Sequence, residues 1–384
     1  MDVDRIKMVV RTSSVVLPED GLSRRAPRPV DLRQEGYDAA FDYKTLFYDV
    51  FESASGVTLV GPPLLNLESV LSRGVFTDGR GNRLEAWHNK MDRTAAVRLI
   101  GDCEGSHHVS LSSPSYSVSM PVNPNFSSLF QGKKVLVTKS KDNLLNWISD
   151  WVKFHVAEQG IDAVLFYDNG SSSYVPEDVL EVIAVAGVDV AVVVDWPFKF
   201  GPQGGNWDGL KGAPWDSDYC EYGIMEHARR RFLGLAAGVL NADIDELVLT
   251  EGSHTVFDLL AELDAAVLSY SGRWIEGLTQ DGQGGGSHSD YVYFDPKRAN
   301  TTDKWALVPS KVSGAPQWKT HWVPGVDMTK TGTTLHRHFM GVTLNWKWQR
   351  TAALPRSRNL EVDLDLREAL ARVFPDRVGM TSSK

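Results

Sequence analysis

Lys133-Lys134-Val135-Leu136-Val137-Thr138, Ala163-Val164-Leu165-Phe166-Tyr167 and Val188-Asp189-Val190-Ala191-Val192-Val193-Val194 are three short apolar runs rich in valine. Runs of this length, bounded by turn residues, read as buried strands. Between the first two, Leu144, Leu145, Ile148, Trp151, Val152 and His155 recur near helical spacing, which predicts an amphipathic helix from Leu144 to Ala157. Between the second and third, Pro176 to Ala186 reads as a helix with proline in its first turn, where a missing N–H costs nothing. Strand, helix, strand, helix, strand predicts an α/β fold, with a parallel sheet covered by helices on both faces.

Upstream, the grammar differs. Residues 1–130 are rich in Pro, Ser and Gly and carry period-two stretches such as His108-Val109-Ser110-Leu111 and Tyr116 to Val122. Such alternation predicts antiparallel strands, hence a small β-rich domain before an α/β domain over residues 131–355 and a tail or short helix over 356–384. Two domains suit 384 residues. A formal net charge of -9 and a pI near 5.6 argue against a nucleic-acid partner, which needs a basic face. Cys103 and Cys220 have no metal-type spacing and make no disulfide framework. The first residues lack a signal-peptide pattern and no apolar run is long enough to span a bilayer, so the expectation is a cytoplasmic protein without a membrane span.

The chemistry concentrates in Asn241-Ala242-Asp243-Ile244-Asp245-Glu246-Leu247, an Asp-x-Asp step after a small apolar run. Two carboxylates one residue apart at a strand end can hold a hard divalent cation beside a diphosphate. Asp2-Val3-Asp4, Asp216-Ser217-Asp218 and Asp363-Leu364-Asp365 match the same pattern, but only the step at Asp243 follows strand-and-helix units and adds a third acid at once. Ligands of such sheets collect outside the carboxyl ends of the strands, where Asp142, Asp168, Asp195 and Asp243 all fall. Asp195 reads better as a turn former. No Gly-x-Gly-x-x-Gly follows the first strand and no P-loop occurs, which speaks against a dinucleotide fold or a P-loop enzyme.

With these residues in view, the segment from about Lys133 to Arg350 resembles glycosyltransferase family 92 and its relatives, a GT-A branch near glycosyltransferase family 2. The resemblance runs through Lys141-Asp142-Asn143, Asp150-Trp151, Tyr167-Asp168-Asn169-Gly170-Ser171, Asp243-Ile244-Asp245-Glu246-Leu247, Lys304…Pro309…His321 and His338-Phe339, in the family's order. Asn143 stands where the family often has Glu, and Leu247 replaces Phe.

The resemblance implies a GT-A nucleotide-sugar-binding sheet. It also implies metal-dependent transfer, with inversion, of a sugar from a nucleoside diphosphate donor, foremost a UDP-sugar, to a saccharide or glycan hydroxyl. Manganese or magnesium would be the cofactor, bound by Asp245 with Asp243 as a ribose or second metal contact, and by a late histidine, His338, with His321 as runner-up. Lys347 would neutralise the diphosphate, Asp168 would touch the nucleoside, and Lys141 and Asp142 would line the donor site. Glu276 and Asp290 are the acids available as general base, Glu276 first. Glu246 reads as a helix-start acid. Trp207 and Trp215, in irregular segments, offer flat faces to sugar rings, whereas Trp147 and Trp151 read as core. The glycine-rich stretches Gly201 to Asn206 and Gly282 to Gly286 read equally as plain flexible connections or, for one of them, as a lid over the donor. Two other readings stand beside transfer: a sugar nucleotidyltransferase, and a non-catalytic carbohydrate-binding protein with a transferase-like domain.

Overall fold

The computed structural model describes residues 5–101, 107–202, 215–279, 286–344 and 359–378. It is a mixed α/β structure built on a large, parallel-rich sheet. In chain order the first-half strands of the two larger sheets are β1 (Ile6–Arg11), β2 (Asp49–Ser53), β3 (Gly56–Gly61), β4 (Val75–Asp78), β5 (Arg83–Met91), β6 (Thr94–Ile100), β7 (His108–Ser112) and β8 (Ser117–Pro121). Then come β9 (Lys134–Ser140), α1 (Leu145–Gln159), β10 (Ala163–Asp168), α2 (Pro176–Val185), β11 (Val190–Asp195) and α3 (Tyr219–Arg231). The rest comprises β12 (Gly238–Asn241), β13 (Glu246–Thr250), α4 (Val256–Glu262), β14 (Val267–Ile275), β15 (Thr301–Leu307), β16 (Met328–Lys330), β17 (Thr334–Phe339) and α5 (Leu364–Val373).

The large sheet runs β1-β11-β10-β9-β12-β15-β14-β17-β13, with β16 beside β14, and its first five strands are mutually parallel. Its central strands are apolar throughout because alternate residues feed two cores. Leu136, Val164, Phe166, Ala191 and Val193 meet α1, α2 and α5, while Val135, Val137, Leu165, Val192 and Val194 meet α3 and Trp196 on the other face. Trp147 and Trp151 are buried in the first of these cores. α5 also belongs there through Leu366, Ala369 and Leu370, and Asp363 caps it by accepting the Leu366 N–H at 3.0 Å. Leu364–Val373 is therefore packed helix.

A second sheet, β8-β7-β4-β5-β6-β3-β2, is antiparallel throughout and has its own apolar core. β1 is not part of it. Ile6 to Arg11 pair in parallel with Val190 to Asp195 at the edge of the large sheet, so the chain starts that sheet, leaves it for the antiparallel one and returns at β9.

The two sheets meet over α3. Gly223 lets the Tyr48 ring in, since a Cβ there would lie 2.4 Å from Tyr48 Cε2. Beside it the buried Asp49 carboxylate accepts from His227 Nε2–H at 2.7 Å and from the Arg231 guanidinium at 2.5 Å, and Tyr167 O–H donates to His227 Nδ1 at 2.8 Å. Both ring nitrogens are partnered, and burial, which lowers the His227 pKa, favours the neutral ring with Nε2–H towards Asp49 and Nδ1 as acceptor.

Candidate active site

β12 ends at Asn241 and β13 begins at Glu246, so the Asp-x-Asp step occupies the tight link between them, at the carboxyl end of a parallel strand. The turn is pinned on all sides. Asp243 N–H donates to Glu246 Oε2 at 2.9 Å, Phe339 N–H to the Asp245 carbonyl at 2.8 Å, and His288 Nε2–H to the Ile244 carbonyl at 2.9 Å. Glu246 is thus the first residue of a strand and closes the turn, and the helix-start reading is corrected.

Asp245 Oδ2 lies 3.0 Å from His338 Nε2, joining the two residues that the sequence paired over a long separation. His336 and His338 point the same way because they are two apart on β17, while Arg337 between them turns back to Asp363 at 3.0 Å. Ligating atoms of Glu246, His336 and His338 lie within 4.8 Å of one another. His336 Nδ1 is buried without a hydrogen-bond partner, and burial lowers its pKa to about 4, so the ring is neutral near pH 7 and able to ligate. This mixed carboxylate and imidazole set could hold a divalent metal ion.

Asp243 is placed differently. Its carboxylate accepts from Lys139 Nζ at 3.0 Å and Lys304 Nζ at 2.6 Å, and those ammonium groups also reach Glu221 at 2.6 Å and Glu246 at 3.0 Å. Burial works to raise the Asp243 pKa, but the two lysines overcome it and hold the carboxyl well below its ordinary range. Burial likewise opposes charge on Lys139 and Lys304, and the acids around them outweigh it. Asp243 is therefore a counter-ion that fixes two ammonium groups beside the Asp245 and His338 pair.

The other expected residues lie around this centre. Asp142 accepts from the N–H groups of Ser172 and Ser173 at 2.6 and 2.9 Å, and Asp168 accepts from the Ser171 hydroxyl at 2.5 Å, so both tie loops together along the same rim. Burial raises the Asp168 pKa against the Ser171 bonds. Lys141 is exposed. His321 donates Nδ1–H to the Asp303 carbonyl at 3.1 Å and lies close enough to Lys304, Asp243 and Glu221 to feel their charges. Asp290 Oδ2 accepts the N–H groups of Gly286 and Ser287 at 2.7 and 2.8 Å, which makes it the cap of the short turn carrying His288. Glu276 has no exposed surface, and its Oε1 holds Arg298 at 2.9 Å. Arg298 in turn lies 4.6 Å from the Trp274 ring, which packs 4.3 Å from His338. The other Glu276 oxygen, Oε2, is buried without a hydrogen-bond partner. Lys347, Trp207, Cys103 and most of the two glycine-rich stretches fall outside the described residues.

Sequence reasoning named Lys304 only as part of the family pattern, gave no role to Lys139 or Glu221, and underrated Glu246 and His336. The histidines were legible: spacing by two on a strand puts both on one face. The lysines were not, since Lys139 and Lys304 meet only through the strand order β9-β12-β15.

No family model and no curated protein matches the chain. Among solved structures, TarS 1–349 of S. aureus is similar at a TM-score of 0.32 and 10% identity, over 54% of this chain and 60% of that one. TarS 1–349 in complex with UDP is similar at 0.26 and 15%, over 38% and 37%. Core-mannan synthase A from Aspergillus fumigatus, in its Mn/GDP form, is similar at 0.26 and 7%, over 39% and 44%. The alignments thus cover less than two thirds of each of these chains. Among the described residues no helix is long and apolar enough to cross a membrane.

Proposed function

We propose that the protein is a metal-dependent glycosyltransferase that moves a sugar from a nucleoside diphosphate donor to a saccharide hydroxyl. The observation that carries this reading is the Asp245 to His338 contact at 3.0 Å, grouped with Glu246 and His336 and flanked by two fixed ammonium groups at the carboxyl rim of a parallel sheet. A cation bound there would stabilise the charge that gathers on a departing diphosphate. Asp245, Glu246, His336 and His338 would hold it. Lys139 and Lys304 already share their charge among Asp243, Glu221 and Glu246, so they would hold the acidic turn in place beside the diphosphate. Asp168, Asp142 and Lys141, along the same rim, would face the nucleoside, and the donor would be foremost a UDP-sugar. Inversion at the anomeric carbon would follow from a single displacement with the acceptor proton taken by a carboxylate.

The test is a thermal-shift and calorimetric titration of UDP with and without manganese. Stabilisation by UDP only with manganese, lost in Asp245→Ala and in His338→Ala while both variants still melt cooperatively, is the expected outcome. Each variant should lower transfer by about a hundredfold or more, the scale typical of lost electrostatic stabilisation. Wild-type turnover by a folded Asp245→Ala protein would overturn the reading.

A further inference from the structure

A row of alternating rings and cations starts beside this centre and crosses onto the antiparallel sheet. The Arg93 guanidinium carbon lies 5.0 Å from the Trp215 ring centroid and 4.6 Å from that of Tyr222. Lys319 Nζ lies 5.9 Å from the Tyr222 ring and 4.6 Å from the Trp322 ring. The order is Trp215, Arg93, Tyr222, Lys319, Trp322, and the two end indoles are 41% and 49% exposed. The row abuts the candidate site: Glu221, next to Tyr222, holds Lys139, and Thr320, between Lys319 and Trp322, accepts from Asn241 at 2.8 Å.

Two features set this row apart from chance surface aromatics. First, Arg93 has φ +59° in the two-residue turn between β5 and β6, a backbone state that favours glycine or asparagine and is unfavourable for a bulky side chain. The turn is nevertheless locked to the far side: Asp92 N–H donates to Gln317 Oε1 at 3.2 Å and Gln317 Nε2 donates to the Asp92 carbonyl at 2.8 Å. Second, the cations are already neutralised. Arg93 pairs with Asp218 at 2.9 Å and Lys319 with Asp92 at 2.7 Å, so the row offers no net field to a polyanion. What it offers is two partly exposed indoles, Trp215 and Trp322, backed by Tyr222 and the paired cations, with carboxylates beside them, which suits the C–H faces and hydroxyls of neutral sugar rings.

We propose that Trp215, Tyr222 and Trp322, held in line by Arg93 and Lys319, form a platform for a neutral, extended saccharide chain. Its role as acceptor site rests on the transferase reading. Its binding of saccharide does not. The antiparallel sheet then has a task, since the tip of its β5–β6 hairpin supplies Asp92 and Arg93.

The experiment uses the full chain and reads tryptophan fluorescence and calorimetry. Neutral cello-, malto-, chito- and manno-oligosaccharides are titrated without nucleotide, and UDP with manganese is titrated separately. At least one saccharide series should bind the wild type, and Trp322→Ala and Trp215→Ala should each weaken it by about tenfold or more, as truncation of an aromatic anchor does. Both indoles are exposed, so these variants should fold, and an unchanged UDP affinity would confirm it independently. Absence of binding to every series, or equal saccharide affinity in both variants and the wild type, would overturn the platform. Failure of UDP and manganese to bind the wild type would overturn the donor reading alone, and the saccharide arm would still decide this one.

Discussion

Gly272 illustrates how much of the site depends on one missing atom. It lies on β14 opposite His336, and a Cβ there would fall 2.1 Å from His336 Nε2 and 2.0 Å from Thr301 Oγ1. Those two atoms are themselves hydrogen-bonded at 2.7 Å. Gly272→Ala should therefore push His336 off its line with Glu246, costing about 1–3 kcal/mol of overpacking strain and, with it, manganese affinity. Calorimetric titration of manganese alongside urea unfolding checks this; unchanged metal affinity would remove His336 from the site. At this scale, the meeting of Asp245 and His338 was legible, because their order matches the family pattern that the sequence resembles. Gly272 was not, because a glycine in a strand announces only that something comes close, not what.

At the scale of elements, the strands β9, β10 and β11 and helices α1 and α2 were legible to within two residues or so, since period and turn chemistry are local properties. The seam between the two sheets was hidden. Asp49, Tyr167 and His227 come from β2, β10 and α3, and no local pattern in the sequence connects them. Burial lowers the His227 pKa, helped by Arg231 and opposed by Asp49, and the Asp49 carboxyl is held below its ordinary range by His227 and Arg231 against its own burial. Both depressed values have the same sign of linkage. Stability from the seam should be complete above the ordinary imidazole range, about pH 6.5, and fall as the pH drops from there towards the depressed folded value, with Asp49 adding a further loss in the carboxylate range. Melting temperature measured from pH 8 downwards should decline accordingly, and a flat profile would refute the assignment. Tyr167→Phe removes the donor to a buried Nδ1 and should cost about 1–3 kcal/mol at neutral pH in urea unfolding.

For the molecule as a whole, the sequence placed the boundary between β-rich and α/β parts near residue 130, whereas the large sheet takes its edge strand from residues 6–11. A strand of six residues reads alike whichever sheet it joins; long-range pairing alone decides. Ile6 donates its N–H to the Asp189 carbonyl at 2.8 Å, so the alternate N–H groups of Met8 and Val10 face the same neighbour in a parallel ladder. Met8→Pro should break that ladder, cost about 1–3 kcal/mol and bare the edge of β11, which would show as lower solubility and faster aggregation. Light scattering of the variant against Lys7→Pro, whose N–H points away from β11, separates the lost bond from the proline itself.

The excursion of the chain between β1 and β9 also bears on how the molecule is made. During synthesis the partner of β1 emerges only after the whole antiparallel sheet has left the ribosome, so an unpaired apolar strand must wait while its neighbours fold. Local pairings close cheaply and early, and the β1 to β11 pairing, with its large loop closure, closes late. The return of the first strand therefore closes the longest loop in the large sheet, and a chain stalled before Val190 would carry that strand exposed.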